Sequence, residues 1–194
     1  MRSIAKLMKD WQFTGPDGVT AAVALPHTWN AVDGQDGGND YLRGTCTYRT
    51  SFAAPVFDPA QQQVWLQFEG VNASAVVLLN GQKICAHDGG YSTFRAEVTG
   101  LLQAENQLTV QVDNSVNDRI YPQKADFTFY GGIYRDVSLL VVNKNHIALG
   151  HFGDTGVKIT PDLKEGSADI QVETLVEGEG TVAVELLDAE GNSV

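Results

Sequence analysis

Alternation of apolar and polar positions runs through most of the chain and predicts β-strands. The clearest runs are TCTYRTSF at residues 45–52, VWLQF at 64–68 and QLTVQV at 107–112. In each run every second residue forms one largely apolar face, which is the period of a strand with one buried side. Such runs recur roughly every ten residues with Gly, Asn and Asp between them. This spacing predicts an all-β fold of the sandwich or jelly-roll type.

Two shorter patterns predict how the strands are joined. The run SAVVLLNGQKICAH contains two apolar stretches around Asn80-Gly81, a pair that tolerates the positive φ angles of a type I′ turn, and so predicts a hairpin. The segment Val98–Ala104 predicts a short helical piece with Thr99 as its cap.

The segment Asp126–Val137, DFTFYGGIYRDV, combines a possible ligand-binding loop with a strand. A carboxylate beside aromatic rings suits a sugar, since the carboxylate accepts hydrogen bonds from hydroxyls while the rings cover C–H faces. Gly131-Gly132 permits a sharp turn, and the alternation from Ile133 to Val141 predicts one continuous strand. Trp29–Gly44 has no period, and a loop of this length is usually functional or mobile.

A second series of strands begins near residue 144. It comprises Ile147–Leu149, Val157–Ile159, Ala168–Val176 and Thr181–Leu187, with a turn at Glu177–Gly180. An immunoglobulin-like sandwich needs about seven strands and about 100 residues, more than this part of the chain supplies. We therefore expect a jelly-roll domain at residues 1–143 and a truncated immunoglobulin-like β-sandwich with exposed edges at residues 144–194.

Composition argues against some classes of partner but does not by itself identify a function. The net charge is −11, from 13 basic and 24 acidic residues, which argues against nucleic acid and anionic membranes as partners. Cys46 and Cys85 could form one disulfide, although two free buried thiols are favoured. The histidines and cysteines lack metal-ligand spacing. No signal peptide or run of about 18 apolar residues is present, so we expect a cytoplasmic location.

Several motifs, taken in order, resemble the sugar-binding domain of glycoside hydrolase family 2, the family of β-galactosidases and β-glucuronidases. They are PHTWN at residues 26–30, DYLRG with YR at 40–49, FEGV at 68–71, VLLNG with HDGGYSTF at 77–94, NQLTVQVDN at 106–114 and GGIYRDV at 131–137. Each motif alone is weak, but together they span most of residues 10–142. The resemblance implies a galactose-binding-like jelly roll followed by an immunoglobulin-like domain.

The resemblance also implies a role for particular residues. Asp126 corresponds to an aspartate that contacts sugar hydroxyls in the family's β-galactosidases and helps to hold sodium. Asn39 matches a second sugar-contacting residue, and Asp40 is nearly as good a match. The catalytic glutamates of the family lie in a barrel domain, and nothing here corresponds to them. The expected protein is thus an N-terminal, non-catalytic fragment of a retaining glycosidase that takes β-galactosides, with Na and Mg as cofactors of the full-length enzyme only.

Other functions remain open from the sequence. The chain could be a free-standing carbohydrate-binding module, a sandwich for protein–protein contact, or part of a β-glucuronidase or β-mannosidase. Asp126 could also simply cap a turn. Independent catalysis is disfavoured because Glu69 and Glu97, the candidates by residue type, lie in strand motifs without a pairing signal. The expected partners are a carbohydrate and the chain's own barrel domain in cis, with a homo-oligomer as a further option.

Overall fold

The computed structural model describes residues 2–33, 41–121 and 128–194, and it is built almost entirely of β-strands. The chain divides into two compact units, one of Met1–Asn143 with His151–Gly153 and one of Lys144–Gly150 with Asp154–Val194. The strands are β1 Ser3–Lys6, β2 Trp11–Thr14, β3 Thr20–Val23, β4 Thr45–Ala53, β5 Gln62–Phe68, β6 Val71–Asn72, β7 Ser74–Leu79, β8 Gln82–Asp88, β9 Phe94–Glu97, β10 Glu105–Asp113, β11 Gly132–Ile133, β12 Val137–Asn143, β13 His146–Ile147, β14 Val157–Lys164, β15 Ser167–Thr174 and β16 Val176–Glu177.

The first unit is a sandwich of two antiparallel sheets around one core. One sheet has the order β1-β12-β5-β9 and the other β3-β2-β4-β10-β7-β8, with a small β11-β6 pair beside them. A single cluster of buried side chains takes members from both sheets, including Leu66 and Leu139 from the first and Tyr48 and Val110 from the second. The prediction of an all-β jelly-roll sandwich is confirmed.

The predicted alternation decides which residues reach this core. Leu108, Val110 and Val112 of β10 are fully buried, whereas Gln107 and Gln111 on the opposite face are exposed. The hairpin is also confirmed: β7 pairs with β8, and Asn80 and Gly81 have φ angles of 52° and 81°. The two cysteines lie on β4 and β8 as free thiols.

The prediction of one continuous strand from Ile133 to Val141 is wrong, because the chain leaves the strand conformation at Tyr134–Asp136. Ile133 pairs with Val71, whereas Val137 pairs with Phe68, so the partner segment is interrupted at the same place. There the amide of Glu69 donates to the carbonyl of Asp136. After the break, residues 137–142 of β12 are buried on both faces, and Ser138 is the one polar residue among these six.

The helical piece after β9 is shorter than expected and is capped differently. A 3-10 turn covers Thr99–Leu101, and no side chain caps it. The Thr99 hydroxyl instead accepts a hydrogen bond from the amide of Val64 at 2.9 Å. Thr99 therefore joins the turn to the neighbouring β5, and the prediction of an N-cap was wrong.

The second unit has two small sheets, β13-β16 and β14-β15. The strand predicted at Thr181–Leu187 is absent; in this segment there is only an isolated bridge from Leu187 to Ser193. A strand needs a neighbour for its backbone groups, and none of the described strands pairs with this segment beyond that bridge. In the part of the chain that the structure describes, no helix is long and apolar enough to cross a bilayer.

Candidate functional site

Two loops at one end of the sandwich carry the residues predicted to contact sugar. Asn39, Asp40 and Asp126 themselves lie outside the described residues. The residues that flank them on either side are described, and they show how both loops are attached to the sandwich.

Asn30 joins the ends of both loops. Its side chain is fully buried, and its Nδ2 donates to the Asp33 carboxylate and to the carbonyl of Leu42 at 2.9 Å. Its Oδ1 accepts from the backbone amide of Gly131 at 2.8 Å. One side chain thus connects the beginning and the end of the first loop with the end of the second. A buried amide whose donor and acceptor are both bonded holds its neighbours in one arrangement.

Asn114, which follows β10, extends this network. Its Nδ2 donates to the Asn30 Oδ1 at 3.2 Å and to the Leu42 carbonyl at 3.0 Å, and its Oδ1 accepts from the amide of Gly44 at 2.8 Å. The Asp33 carboxylate also accepts from the amide of Leu42 at 2.8 Å. The chain at residues 41–44 is therefore held along its backbone as well as at its end.

Close packing around two glycines fixes the backbone that follows the second loop. A Cβ at Gly131 would lie 2.4 Å from Cζ2 of Trp29, and one at Gly132 would lie 2.5 Å from the carbonyl oxygen of His27. Gly132 also has a φ of 131°, which disfavours other residues. The Asn72 side chain donates to the Tyr130 carbonyl at 3.1 Å. The Gly-Gly pair thus serves the backbone, as expected.

Trp29 and His27 have structural roles in the sandwich. Trp29 stacks on Phe13 and donates from its indole nitrogen to the Leu42 carbonyl at 3.2 Å. His27 Nδ1 lies 2.7 Å from the Tyr48 hydroxyl. Burial lowers the pKa of His27 and raises that of Tyr48, so both groups are held in their neutral forms.

Aromatic and guanidinium groups surround this end of the sandwich. The Arg43 guanidinium lies 4.7 Å from the centre of the Tyr41 ring, and that of Arg135 lies 5.5 Å from the centre of the Tyr134 ring. Tyr134 donates to the carbonyl of Gly90. Tyr91 is 51% exposed and lies edge-on to the Tyr134 ring, whereas Phe94 is buried against Phe68. Exposed rings and cations of this kind suit contact with a sugar face or a protein surface.

The described acidic and thiol side chains do not cluster around a metal site, and Glu69 and Glu97 bond to other residues. No group of three or more His, Cys, Asp or Glu among them could hold a metal ion. Glu97 accepts from Thr99, Glu69 accepts from Gln67, and no hydrogen bond between the two glutamates is found in the described part. Burial raises the pKa of Cys46 to about 12 and that of Cys85 to about 11, which makes both thiols poor nucleophiles.

Sequence reasoning included Asn30 and Asn114 in motifs but gave them no role. Asn30 directly follows Trp29, and Asn114 directly follows β10. Nothing else in the neighbouring sequence distinguishes either residue. Their function depends on partners 84 and 101 residues away, so neighbouring sequence could not reveal it.

Comparison with known proteins gives consistent matches over this region. Residues 39–161 match the family model described as glycosyl hydrolase 2 galactose-binding domain-like. A β-glucuronidase of Bacteroides fragilis is 33% identical over 97% of this chain, and a β-galactosidase of Thermoanaerobacter pseudethanolicus is 32% identical over 67%. The chain spans 28% and 18% of these two proteins. The crystal structure of an FMN-binding β-glucuronidase from F. prausnitzii L2-6 matches 91% of this chain with a TM-score of 0.85 and 39% identity, and the chain covers 28% of that structure.

Proposed function

Because this chain belongs to the glycosyl hydrolase 2 galactose-binding domain-like family, we propose that it is a non-catalytic part of a family 2 glycosidase. In this proposal the sandwich supports a catalytic barrel elsewhere in the same protein and lends Asp126, with Asn39 or Asp40, to the rim of the sugar site. The relatives named as glycosidases are several times longer than this chain, which leaves room for such a barrel.

The observation that carries the proposal is the Asn30 network. Asn30 bonds to Leu42 and Gly131, which lie at the ends of the loops that contain Asp40 and Asp126. A rigid attachment is what a sugar-contacting loop requires, since catalysis falls when a positioning group is displaced by about 1 Å. The Asn30 side chain makes four hydrogen bonds at the base of these loops, to Asp33, Leu42, Gly131 and Asn114.

The first candidate for the substrate is a terminal β-D-galactoside. Asp126, and Asp40 if it is the second contact, are carboxylates, which accept hydrogen bonds from neutral hydroxyls and repel a uronate. The second candidate is a β-glucuronide, because the B. fragilis and F. prausnitzii relatives are named β-glucuronidases. A role for Asp126 in holding sodium, or for magnesium in the complete enzyme, is supported by family resemblance alone.

The test has two parts, and the first uses the 194-residue chain. Retaining hydrolysis needs two carboxyl groups about 5–5.5 Å apart across the glycosidic bond. We expect no turnover of aryl β-galactosides or aryl β-glucuronides by this chain above the buffer rate. Turnover that persists through repurification would contradict the proposal of a non-catalytic part.

The second part uses the complete glycosidase to which the proposal assigns this chain. We expect Asp126→Ala to lower kcat/KM by at least about tenfold, the loss of one charge-assisted hydrogen bond in the transition state. Asp162→Ala is the matched control, since Asp162 is exposed on β14. Comparing Asn39→Ala with Asp40→Ala identifies the second contact. If Asp126→Ala keeps full activity, or loses it only by unfolding, Asp126 is a turn residue.

A further inference from the structure

An open groove crosses the outward face of the six-stranded sheet, on the side of β10 that faces away from the core. Its volume is about 610 Å³, within the range of about 300–1,000 Å³ that is usual for ligand sites. Its floor is formed by side chains of three adjacent strands: Thr45 of β4, Gln111 and Asp113 of β10, and Ser74 and Val76 of β7. Residues 115–119 form one wall. We propose that this groove binds a neutral saccharide chain, independently of the loops that carry Asn39, Asp40 and Asp126.

The wall is held in place without a ligand. The amide of Ser115 donates to the Asp113 carboxylate at 2.7 Å, and Asn117 Nδ2 donates to the Ser74 hydroxyl at 3.1 Å. Arg119 Nε lies 2.7 Å from the Asp88 carboxylate in a salt bridge. Three separate bonds therefore fix the wall to β10, β7 and β8. A preformed groove lowers the entropy lost when a ligand binds.

The groove offers hydrogen-bonding groups of both kinds. Gln111 is exposed, and within the described ranges neither its amide nor the Asp118 carboxylate has a hydrogen bond to another side chain. The amide can donate and accept, while the carboxylate accepts, which matches the paired donor and acceptor character of sugar hydroxyls. Val76 and Val116, the latter 71% exposed, provide apolar contact for C–H groups.

The charge of the groove favours a neutral ligand over an anionic one. Asp113 and Asp118 line it, and Arg119, the cation among its described lining residues, is already paired with Asp88. A uronate or phosphate chain would be repelled by the remaining carboxylates. Among the described residues, no aromatic ring lines the groove, so binding should be weak, with dissociation constants in the millimolar range.

The test is a titration of the isotopically labelled 194-residue chain, followed by amide NMR. Galactotetraose, cellotetraose and mannotetraose are the neutral probes, each added to about 10 mM, and tetragalacturonate is the charged control. We expect at least one neutral probe to shift the amide signals of Gln111, Ser115 and Asn117, and tetragalacturonate to leave them unchanged. Absence of shifts with all three neutral probes, or equal shifts with tetragalacturonate, would overturn the proposal.

Variants then locate the binding. Gln111→Ala should weaken binding about threefold to tenfold, the range expected for one neutral hydrogen bond, and Asp118→Asn provides an independent second substitution. Gln107→Ala is the matched control, since Gln107 is exposed on the same strand and the same face but outside the groove. Unchanged binding by both groove variants, each with a well-dispersed spectrum, would contradict the proposal. Loss of binding in Asp126→Ala with full binding in Gln111→Ala would assign the saccharide to the loops instead.

Discussion

At the scale of single residues, buried polar side chains hold the functional end of the sandwich together. Asn30 is fully buried, yet every polar atom of its side chain has a partner. Burying an amide without partners costs more free energy than a hydrogen bond returns, so such a residue is stable only as part of a complete network. Substitution of any one residue of the network should therefore lower the stability of the fold.

We expect Asn30→Ala to lower the free energy of unfolding by at least about 2 kcal/mol, because it leaves the Gly131 amide and the Asp33 carboxylate buried without that partner. Urea denaturation followed by circular dichroism measures this. Gln107→Ala, at an exposed position, should change stability by less than about 0.5 kcal/mol. Equal effects of the two substitutions would show that the Asn30 network carries no stability.

Two half-buried histidines predict how stability depends on pH. Burial lowers the pKa of His27 and of His87 below the ordinary value of 6.5. The unfolded chain therefore binds more protons than the folded chain just below that value, and the free energy of unfolding falls as the pH decreases through it. We expect lower stability at about pH 5.5 than at about pH 7.5 in urea denaturation, and a smaller difference in the double variant His27→Gln/His87→Gln. A difference that is unchanged in the variant would assign the effect to other groups.

At the scale of elements, the β7–β8 hairpin shows how local chemistry sets pairing. Asn80 and Gly81 adopt positive φ angles, and the Asn80 side chain accepts from the amide of Gln107 at 2.8 Å while its Nδ2 donates to the Asn106 side chain at 3.1 Å. The turn is thereby fixed to β10 as well as to its own strands. The Asn-Gly pair was sufficient to predict the hairpin because both residues tolerate the positive φ angles of its turn.

Substitutions at Gly81 and Gly100 distinguish the effect of backbone strain from that of steric crowding. A Cβ at either position would meet no atom within 4 Å, but only Gly81 has a positive φ. We expect Gly81→Ala to cost about 1 kcal/mol of unfolding free energy, whereas Gly100→Ala should be neutral or slightly stabilising. Chemical denaturation of the two variants side by side measures the difference. Equal values would mean that the turn conformation does not select glycine.

At the scale of the whole molecule, the two units differ in how much of their surface is buried. The first has a continuous core, with Trp11, Tyr48 and Phe68 fully buried. In the described part of the second unit, Ala148 and Gly156 are the buried residues, while Ile159 and Leu163 on β14 are 64% and 79% exposed. Folding stability scales with apolar burial, so the second unit should be the less stable of the two.

We expect hydrogen exchange to be much faster in residues 168–187 than in residues 64–79. The amides of β15 lie in a two-stranded sheet without a core, whereas those of β5 and β7 lie within larger sheets. Mass spectrometry of peptides from the labelled chain measures this, and limited proteolysis should cut first beyond Asn143. Equal protection of the two regions would contradict the expectation, unless gel filtration shows that a second copy completes the sheet.

The sequence alone determined the strands whose two faces differ in polarity and the hairpin whose turn residues are specific. These features depend on residues close together in the chain, such as Leu108 with Val110 or Asn80 with Gly81. The tertiary structure alone decided the break at Tyr134–Asp136, which follows the interruption of its partner between Phe68 and Val71. It also decided that Thr181–Leu187 forms no strand, because this alternating segment has no neighbouring strand. The hydrogen bond between Asn30 and Gly131 likewise depends on the tertiary structure. Backbone and buried polar groups take their partners from wherever the fold brings the chain, and local sequence does not encode those distances.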